Sequence, residues 1–194
     1  MRLLCRGSLK LGLTMTTHLF TRHIATALAA ATMALLAACN STPPADAPPT
    51  VASVDVARYL GTWAQQGMVP NKFQKMCASN TRATYAKDGD GLSVLNQCVD
   101  ASGKPVEAKG VAKIVDGSNN AKLKVSFFRP FYGDYWVLAL DPDYQWVLVG
   151  DPKRENGWVL SRAAKLDDAT YNAILDKAAV LGYDKTRFVR SVNN

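Results

Sequence analysis

Residues 59–162 alternate apolar and polar side chains in short runs, and turn residues separate one run from the next. A period of two places successive side chains on opposite faces of a strand, so this pattern is typical of an antiparallel sheet. About eight such runs follow one another, which predicts an all-β fold, either a closed up-and-down β-barrel or a sandwich. The alternation alone leaves both architectures open.

The period changes after residue 167, where an amphipathic α-helix is predicted. Asp167 is a suitable N-cap, and Gly182 is a suitable stop. A single helix that follows a run of strands is expected to pack against the outside of the sheet. Residues 187–192 are expected to add a last short strand. The apolar positions of the helix recur at helical spacing, at Tyr171, Ile174, Leu175, Ala178 and Leu181.

The inward faces of three strands indicate what a barrel would contain. By alternation, residues 81–85 and 106–114 point mainly alanine, glycine and threonine inward. Side chains of this size do not fill an eight-stranded barrel, whose interior is wide enough for one small ligand. We therefore expect an apolar cavity, with Tyr85, Val125 and Phe127 on its wall as candidate ligand-binding residues.

Residues 1–38 have the organisation of an exported leader. They contain basic residues but no acidic residue, and they run into an apolar stretch of about 15 residues, shorter than the ~20 that a membrane-spanning helix needs. We predict a signal peptide, which has an ordinary length if translation starts at Met15. A short transmembrane anchor is the alternative.

Loss of the leader changes the charge of the chain. The Lys plus Arg count falls from 23 to 19 against 16 Asp plus Glu, so the net charge falls from +7 to about +3. The remaining cations are scattered along the strands and do not form one basic patch. The sequence therefore argues against a nucleic-acid partner.

The leader ends in Leu-Ala-Ala-Cys, which resembles the lipobox of bacterial lipoproteins. The resemblance implies cleavage before Cys39 and lipidation of that cysteine, palmitate included, which anchors the protein to a membrane without spanning it. Asn40 is not the aspartate that retains lipoproteins in the inner membrane of enteric bacteria, so the resemblance favours the periplasmic face of the outer membrane. Residues 39–54 are rich in proline, and we expect an extended spacer of roughly 40 Å at ~3.1 Å per residue. The folded domain is then residues 55–194.

The chain outside the leader offers little for catalysis. Both histidines, His18 and His23, lie in the leader, so the mature chain has no imidazole base or metal ligand. Cys77 and Cys98 are expected near one another at the open ends of a hairpin. In an oxidising compartment we predict a disulfide between them, with two buried thiols as the alternative. We expect no catalytic residue, no metal site and no cofactor.

Three motifs in order resemble the conserved regions of lipocalins. They are YLGTWAQQGMVPNKFQ from residue 59, YWVLALDPDYQWVLV from residue 135 and WVLSR from residue 158. With the helix that follows, they make residues 55–194 similar to lipocalins, in particular to bacterial outer-membrane lipoproteins of the Blc type and to apolipoprotein D. The turn before the third motif departs from the bacterial pattern, which puts ligand selectivity in question.

The resemblance implies an eight-stranded antiparallel up-and-down β-barrel, the lipocalin calyx, with one C-terminal helix outside it. It also implies that Gly61, Trp63 and Arg162 close the base of the barrel, with the Arg162 cation against the ring of Trp63. Trp158 shares an inward face with Leu160, and the resemblance places it on the wall of the ligand cavity. A Trp158 that is buried in packing without touching ligand is the alternative.

Anchor, barrel and motifs lead to one functional hypothesis. We expect a lipid-anchored lipocalin that binds a fatty acid or a lysophospholipid in the barrel for lipid storage or transport at the outer membrane. A lipid-modifying enzyme on the same barrel and a structural lipoprotein with a filled barrel are the alternatives. The sequence leaves open whether the domain forms a homodimer.

Overall fold

The structure, a computed structural model, describes residues 43–194. The predicted leader (residues 1–38), the predicted lipidation site Cys39 and residues 40–42 of the predicted linker lie outside the described residues. The signal peptide and the lipid anchor therefore stay predictions.

Eight antiparallel strands of the described chain form one closed barrel. Strand β1 closes it, because β1 pairs with β2, where Trp63 is opposite Ala83, and with β8, where Gln65 is opposite Leu160. The predicted barrel is confirmed, and the sandwich is excluded. The strands are β1 (Gly61–Met68), β2 (Ser79–Asp88), β3 (Gly91–Val99), β4 (Pro105–Ile114), β5 (Lys122–Phe128), β6 (Phe131–Leu140), β7 (Trp146–Gly150) and β8 (Gly157–Ser161).

The two ends of the barrel differ. At the end where β1 begins, the short helix α1 (Val56–Tyr59) covers the strands, and we call this the closed end. The Asp55 side chain caps α1 by accepting a hydrogen bond from the backbone N–H of Arg58. The other end, where β1, β3, β5 and β7 finish, is the open end. It carries the short 3₁₀ helix Lys72–Gln74 within the loop 69–78.

Inward-facing side chains of the strands form the barrel core, as the period-two pattern predicts. Of the residues predicted to point inward, Tyr85, Ala112 and Leu123 are buried in this core. Its buried members are concentrated toward the closed end, which is therefore well filled. They are Val54, Tyr59, Trp63, Tyr85, Leu92, Val94, Ala112, Ala121, Leu123, Val137, Val147, Val149 and Leu160.

The predicted helix is present as α2 (Asp168–Val180) and packs outside the barrel. Asp167 caps it by accepting a hydrogen bond from the Thr170 N–H at 2.8 Å, and Gly182 follows it with a φ of +86° that suits glycine. Tyr171 of α2 lies so close to β1 that a Cβ on Gly67 would collide with its hydroxyl, so only glycine fits there. The second core lies between helix and sheet, and its buried members are Val69, Trp136, Leu138, Leu148, Val159, Tyr171, Ile174, Ala178, Tyr183 and Phe188.

A ninth strand, β9 (Val189–Arg190), lies outside the barrel beside the second half of β1. It follows a short 3₁₀ helix, Lys185–Arg187. This is the short last strand that the sequence predicts.

The proline-rich segment before the domain packs against the barrel, so the prediction of an extended spacer is wrong for residues 44–54. These residues belong to the same compact unit as the barrel. We call them the N-terminal strap. The Arg154 guanidinium holds the strap at the open end by donating to the Asp46 carbonyl oxygen at 2.6 Å. The Val54 N–H donates to the Asn119 carbonyl oxygen at the closed end.

The reason for this error is physical. Low apolar content predicted that the linker could not bury enough surface to fold alone. The strap does not fold alone: its backbone finds partners on the barrel, including the Val51 N–H to the Val137 carbonyl oxygen at 3.0 Å, and its Val54 side chain is buried there.

The predicted disulfide is confirmed. Cys77 and Cys98 are joined, with their Cα atoms 5.5 Å apart. The bond ties the end of loop 69–78 to β3, next to the β2–β3 pairing of Ser79 with Val99. The loop over the open end is therefore covalently fixed to the barrel wall at one of its ends.

Candidate functional site

The base of the barrel holds the three residues that the sequence predicts to close it. Trp63 is fully buried, and the Cζ atom of Arg162 lies 3.8 Å from the centroid of its ring. The Arg162 guanidinium also donates to the carbonyl oxygens of Arg58 at 2.7 Å, Leu60 at 2.9 Å and Thr62 at 2.9 Å. These bonds join the end of β8 to the chain entering β1.

Gly61 has a reason to be glycine. Its φ is +92°, a conformation that side chains other than glycine rarely adopt. A Cβ at this position would also lie 3.4 Å from a guanidinium nitrogen of Arg162. The Gly-x-Trp motif therefore has a structural role at the closed end. Residues nearer the open end are the candidates for ligand binding.

A cluster of three tyrosines lies above this base, inside the barrel. The Tyr135 hydroxyl lies 2.7 Å from the Tyr59 hydroxyl and 2.9 Å from the Tyr85 hydroxyl. Tyr59 and Tyr85 are almost completely buried, whereas Tyr135 keeps partial exposure. Tyr135 is therefore the member of the cluster that faces the open part of the lumen.

Burial raises the pKa of all three hydroxyls. For Tyr85, burial raises the pKa to about 12, although the hydrogen bond with Tyr135 acts in the opposite direction. Burial also raises the pKa values of Tyr59 and Tyr135 well above their ordinary value. The cluster therefore presents neutral hydroxyl groups at physiological pH.

Above the tyrosines the lumen is lined by small residues and by one amide. Asn96 lies between Ala83 of β2 and Ala108 of β4 in the sheet register, and by alternation it shares the inward face of the buried Val94. Its Oδ1 atom is buried and has no hydrogen-bond partner in the described chain. On β6, Gly133 leaves open space where a larger residue would project into the lumen.

Trp158, the first candidate for ligand contact, lies partly buried against the barrel core near the open end. Its Nε1 donates to the Gln74 Oε1 at 2.9 Å, and the Gln74 Nε2 donates to the Gln65 Oε1 at 2.8 Å. Gln74 comes from the loop over the open end, so this chain of hydrogen bonds links the loop to both β1 and β8. Trp158 thus contacts the loop over the mouth; its contact with a ligand stays a prediction.

The other candidates are divided between the wall and the mouth. Tyr85 belongs to the tyrosine cluster, and Val125 packs against the core from β5. Phe127 is 45% exposed, and its ring covers Gly110, where a Cβ would lie 2.8 Å from the Phe127 Cδ1. Phe127 is therefore at the mouth and not deep in the lumen. The structure brings Val125 and Tyr85 to one core but does not bring Phe127 to it.

The open end carries an unusual set of exposed apolar side chains, which we call the apolar rim. Its members come from loop 69–78 and from the end of the β5–β6 hairpin, and they are between 45% and 75% exposed. The rings of Phe128 and Phe131 stack on one another with centroids 6.3 Å apart. The same two segments carry Lys72, Lys75 and Arg129, and the Lys72 Nζ lies 5.6 Å from the centroid of the Phe73 ring. The rim consists of Phe73, Met76, Phe127, Phe128 and Phe131.

The interior at the closed end holds little free volume. A void of about 10 Å³ lies there against Tyr59 and five aliphatic side chains. The prediction of an apolar cavity is therefore wrong for this half of the barrel, because Tyr59 and Tyr135 fill it and bring hydroxyl groups into it. An open depression of about 530 Å³ near the β2–β3 turn is lined by apolar residues and by charged residues of both signs, namely Asp88, Asp90, Lys113, Asp116 and Arg129.

Sequence reasoning missed four residues of the site. Tyr135 could have been found, because alternation from the inward Val137 turns it into the lumen. Asn96 could have been found in the same way from Val94. Tyr59 precedes β1, and Gln74 lies in a loop, so the period of a strand gives no information about either side chain.

No helix within residues 43–194 has both the length and the apolar character needed to cross a bilayer. The same residues contain no group of three or more His, Cys, Asp or Glu side chains placed to hold a metal ion.

Comparison with known families and sequences gives a consistent result. Residues 54–193 match the family model described as a lipocalin-like domain. Temperature-induced lipocalin-1 of Arabidopsis thaliana is 41% identical over 143 residues, which are 69% of this chain and 76% of the relative. Outer membrane lipoprotein Blc of Escherichia coli K12 is 36% identical over 164 residues, which are 84% of this chain and 93% of that protein.

A shorter match and a structural match agree with these. Mouse apolipoprotein D is 34% identical over 95 residues, which cover 48% of this chain and 50% of that protein. Insecticyanin from Manduca sexta superposes with a TM-score of 0.62 at 20% identity, over 79% of this chain and 87% of that chain. At this identity the superposition shows the fold alone.

Proposed function

The chain belongs to the lipocalin family, and on this premise we propose that it holds one acyl-chain ligand, a fatty acid or a lysophospholipid, in the upper half of its barrel. The observation that carries the proposal is the set of small inward-facing residues between the tyrosine cluster and the mouth. Ala83 and Ala108 line the lumen there, and Gly133 leaves space in it. An acyl chain is narrow enough for such a space and apolar enough to favour it.

The energy for binding would come from the removal of methylene groups from water. Each buried CH₂ contributes roughly 0.8 kcal/mol, against association costs of several kcal/mol. A long chain therefore reaches micromolar affinity only if most of its length is buried. This requirement favours a ligand that runs from the mouth down to the tyrosine cluster.

The apolar rim supports a lipid surface as the source of the ligand. Monomeric proteins seldom keep several large apolar side chains exposed together without a function. Phe and Met side chains with Lys and Arg nearby suit the boundary between headgroups and acyl chains. We propose that the rim touches the membrane while a lipid enters, and that Gln74 and Trp158 then close the mouth behind it.

The proposed location is the periplasmic face of the outer membrane, with Cys39 as the lipid anchor. The leader and the lipobox support this location, and the relatives named as outer membrane lipoproteins agree with it. Growth of cells with labelled palmitate tests the anchor. Label should enter the wild-type protein and not the Cys39→Ala variant.

A binding role is favoured over an enzymatic one. The described chain contains no histidine, and both of its cysteines are joined in the disulfide, so no imidazole base and no thiol nucleophile is available there. The tyrosines of the lumen have raised pKa values, which makes them poor bases at neutral pH.

Native mass spectrometry of the processed protein, isolated from bacterial membranes, is the direct test. We expect one bound lipid per barrel, released intact on extraction. A titration with a lysophospholipid, followed by tryptophan fluorescence, should show a change that Trp158→Phe reduces and Trp136→Phe, outside the barrel, does not. If no lipid co-purifies and calorimetry shows no binding, the barrel is a filled structural one and the proposal is wrong.

A further inference from the structure

The tyrosine cluster contains one more hydrogen-bond donor than it uses. Three hydroxyl groups carry three protons, but only two hydrogen bonds join them, Tyr59 with Tyr135 and Tyr85 with Tyr135. One proton is therefore left without an acceptor inside the cluster. Its position decides what the floor of the lumen offers to a ligand.

Burial assigns the unused proton to Tyr135. If Tyr59 kept it, the proton would point into surroundings that are almost fully buried, where an unpaired donor is costly. The void beside Tyr59 is about 10 Å³, at the lower limit for one water, and most of its wall is aliphatic. Tyr59 and Tyr85 therefore both donate to the Tyr135 oxygen, and the Tyr135 O–H points into the lumen.

A second unused polar group lies on β3, the strand beside β2. The Asn96 Oδ1 is buried and has no partner, and its strand position is one inward layer closer to the mouth than that of Tyr85. The floor of the lumen thus presents one unpaired donor, on Tyr135, and one unpaired acceptor, on Asn96. Hydrocarbon alone would leave both unpaired, at a cost that buried polar groups seldom bear.

The charge around these two groups excludes an ionised partner. No Lys or Arg of the described chain donates into the tyrosine cluster, and Arg162, which lies below Tyr59, already bonds three carbonyl oxygens. A carboxylate or phosphate at this depth would be buried without a counterion. An ionised headgroup instead finds Lys72 and Lys75 at the mouth.

We propose that Tyr135 and Asn96 select ligands that carry a neutral oxygen group, a hydroxyl or a carbonyl, on the buried part of the hydrocarbon chain. A hydroxyl would accept from the Tyr135 O–H and donate to the Asn96 Oδ1. A carbonyl would accept from the Tyr135 O–H or from the Asn96 Nδ2, but it could not use the Asn96 Oδ1. The inference rests on the proposed function, because it names the chemistry of the ligand in the same lumen.

The test is a competition-binding series on the processed protein. The probes are octadecanoic acid and its monohydroxy and monoketo derivatives, with the oxygen moved stepwise from the carboxyl end to the far end. We expect affinity to pass through a maximum at one region of the chain, where the hydroxy derivative binds about 3- to 10-fold more tightly than the parent acid. Away from that region, a buried hydroxyl without partners should weaken binding.

Variants separate the two groups. Tyr135→Phe should abolish the preference for oxygenated probes, and Asn96→Leu should lower the hydroxy derivative to the level of the keto derivative. Tyr183→Phe, outside the barrel, is the control for loss of a buried hydroxyl. Should Tyr135→Phe fail to fold, Asn96→Leu and the wild-type series still decide the question.

The two proposals fail in different ways. If octadecanoic acid binds and every oxygenated derivative binds more weakly, the inference is overturned and the proposed function stands; an ordered water on Tyr135 would give this result. If oxygenated probes bind and the parent acid does not, the inference stands and a plain acyl chain is the wrong ligand. If nothing in the series binds, both are overturned.

Discussion

Replacement of Trp63 with alanine should destabilise the barrel while the folded fraction keeps its affinity for ligand. The side chain is fully buried at the base, its Nε1 donates to the Tyr59 carbonyl oxygen at 2.8 Å, and its ring lies under the Arg162 guanidinium. The tyrosine cluster lies between this base and the open part of the lumen. The change therefore lies below the tyrosine cluster, where Trp63 packs on Tyr59 with ring centroids 5.1 Å apart, and makes no direct contact with the proposed ligand.

The expected loss follows from these contacts. Truncation of a buried tryptophan costs roughly 3–5 kcal/mol through lost burial and the cavity left behind. Loss of the cation–π contact adds roughly 0.5–2 kcal/mol. We expect the free energy of unfolding to fall by about 3.5–7 kcal/mol, a large share of the 5–15 kcal/mol that is typical of a domain. A domain of this size should then melt about 7–28 °C lower.

Urea unfolding followed by circular dichroism measures the first effect, because tryptophan fluorescence would change with the substitution itself. Calorimetry at a temperature where the variant is folded measures the second. Trp158→Ala is the matched control: its side chain is only partly buried at the mouth, so it should lose less stability and more affinity. An unchanged unfolding midpoint with abolished binding in Trp63→Ala would refute the assignment of Trp63 to the base.

Three further predictions concern the mouth, the interior and the strap. Gln74→Leu breaks the hydrogen bonds to Trp158 and Gln65, so the ligand should dissociate severalfold faster in stopped-flow measurements. Gln145→Leu, an exposed glutamine at the closed end, should not have this effect. Burial raises the pKa of Tyr85 to about 12, whereas the pKa in the unfolded state is ~10, so the protonated Tyr85 stabilises the fold fully below pH ~10. As the pH rises from 10 through 12, the free energy of unfolding should fall by roughly 2–3 kcal/mol. Alkaline unfolding monitored by phenolate absorbance measures this loss. Arg154→Ala removes the hydrogen bonds to Asp46 and to the Leu181 carbonyl oxygen. Backbone amides of the strap should then exchange hydrogen faster, while those of the barrel should not. Equal protection of the strap in Arg154→Ala and in the exposed control Lys153→Ala would contradict this.

The parts of the fold that could be predicted are those that a local period controls. Alternation on β2, β4 and β5 placed Tyr85, Ala112 and Leu123 correctly, since each strand has one face on the core. The helix followed from the 3.6-residue spacing and from Asp167 and Gly182 at its ends. The disulfide followed from the hairpin register together with the expected compartment.

Other features depend on contacts between segments that are distant along the chain. Phe127 lies within a β-bulge between Val125 and Phe128, and a bulge bends a strand, which accounts for its exposed position at the mouth; its contact with a ligand stays a prediction. The polar floor depends on Tyr59, which reaches the lumen from a helix that precedes the barrel. The strap is ordered by hydrogen bonds to residues such as Asn119 and Arg154, far away along the chain. No pattern within the strap itself encodes these contacts.

The course of the strap fixes where the chain leaves the domain. Asp46 is held at the open end by Arg154, whereas Val54 is held at the closed end, so the strap runs along the length of the barrel and its first residues lie at the mouth. Between Pro43 and the proposed anchor at Cys39 the chain spans at most about 14 Å. If Cys39 is lipidated as proposed, so short a tether keeps the mouth near the bilayer, and the local concentration of membrane lipid at the mouth stays high. The anchor would then orient the protein as well as retain it.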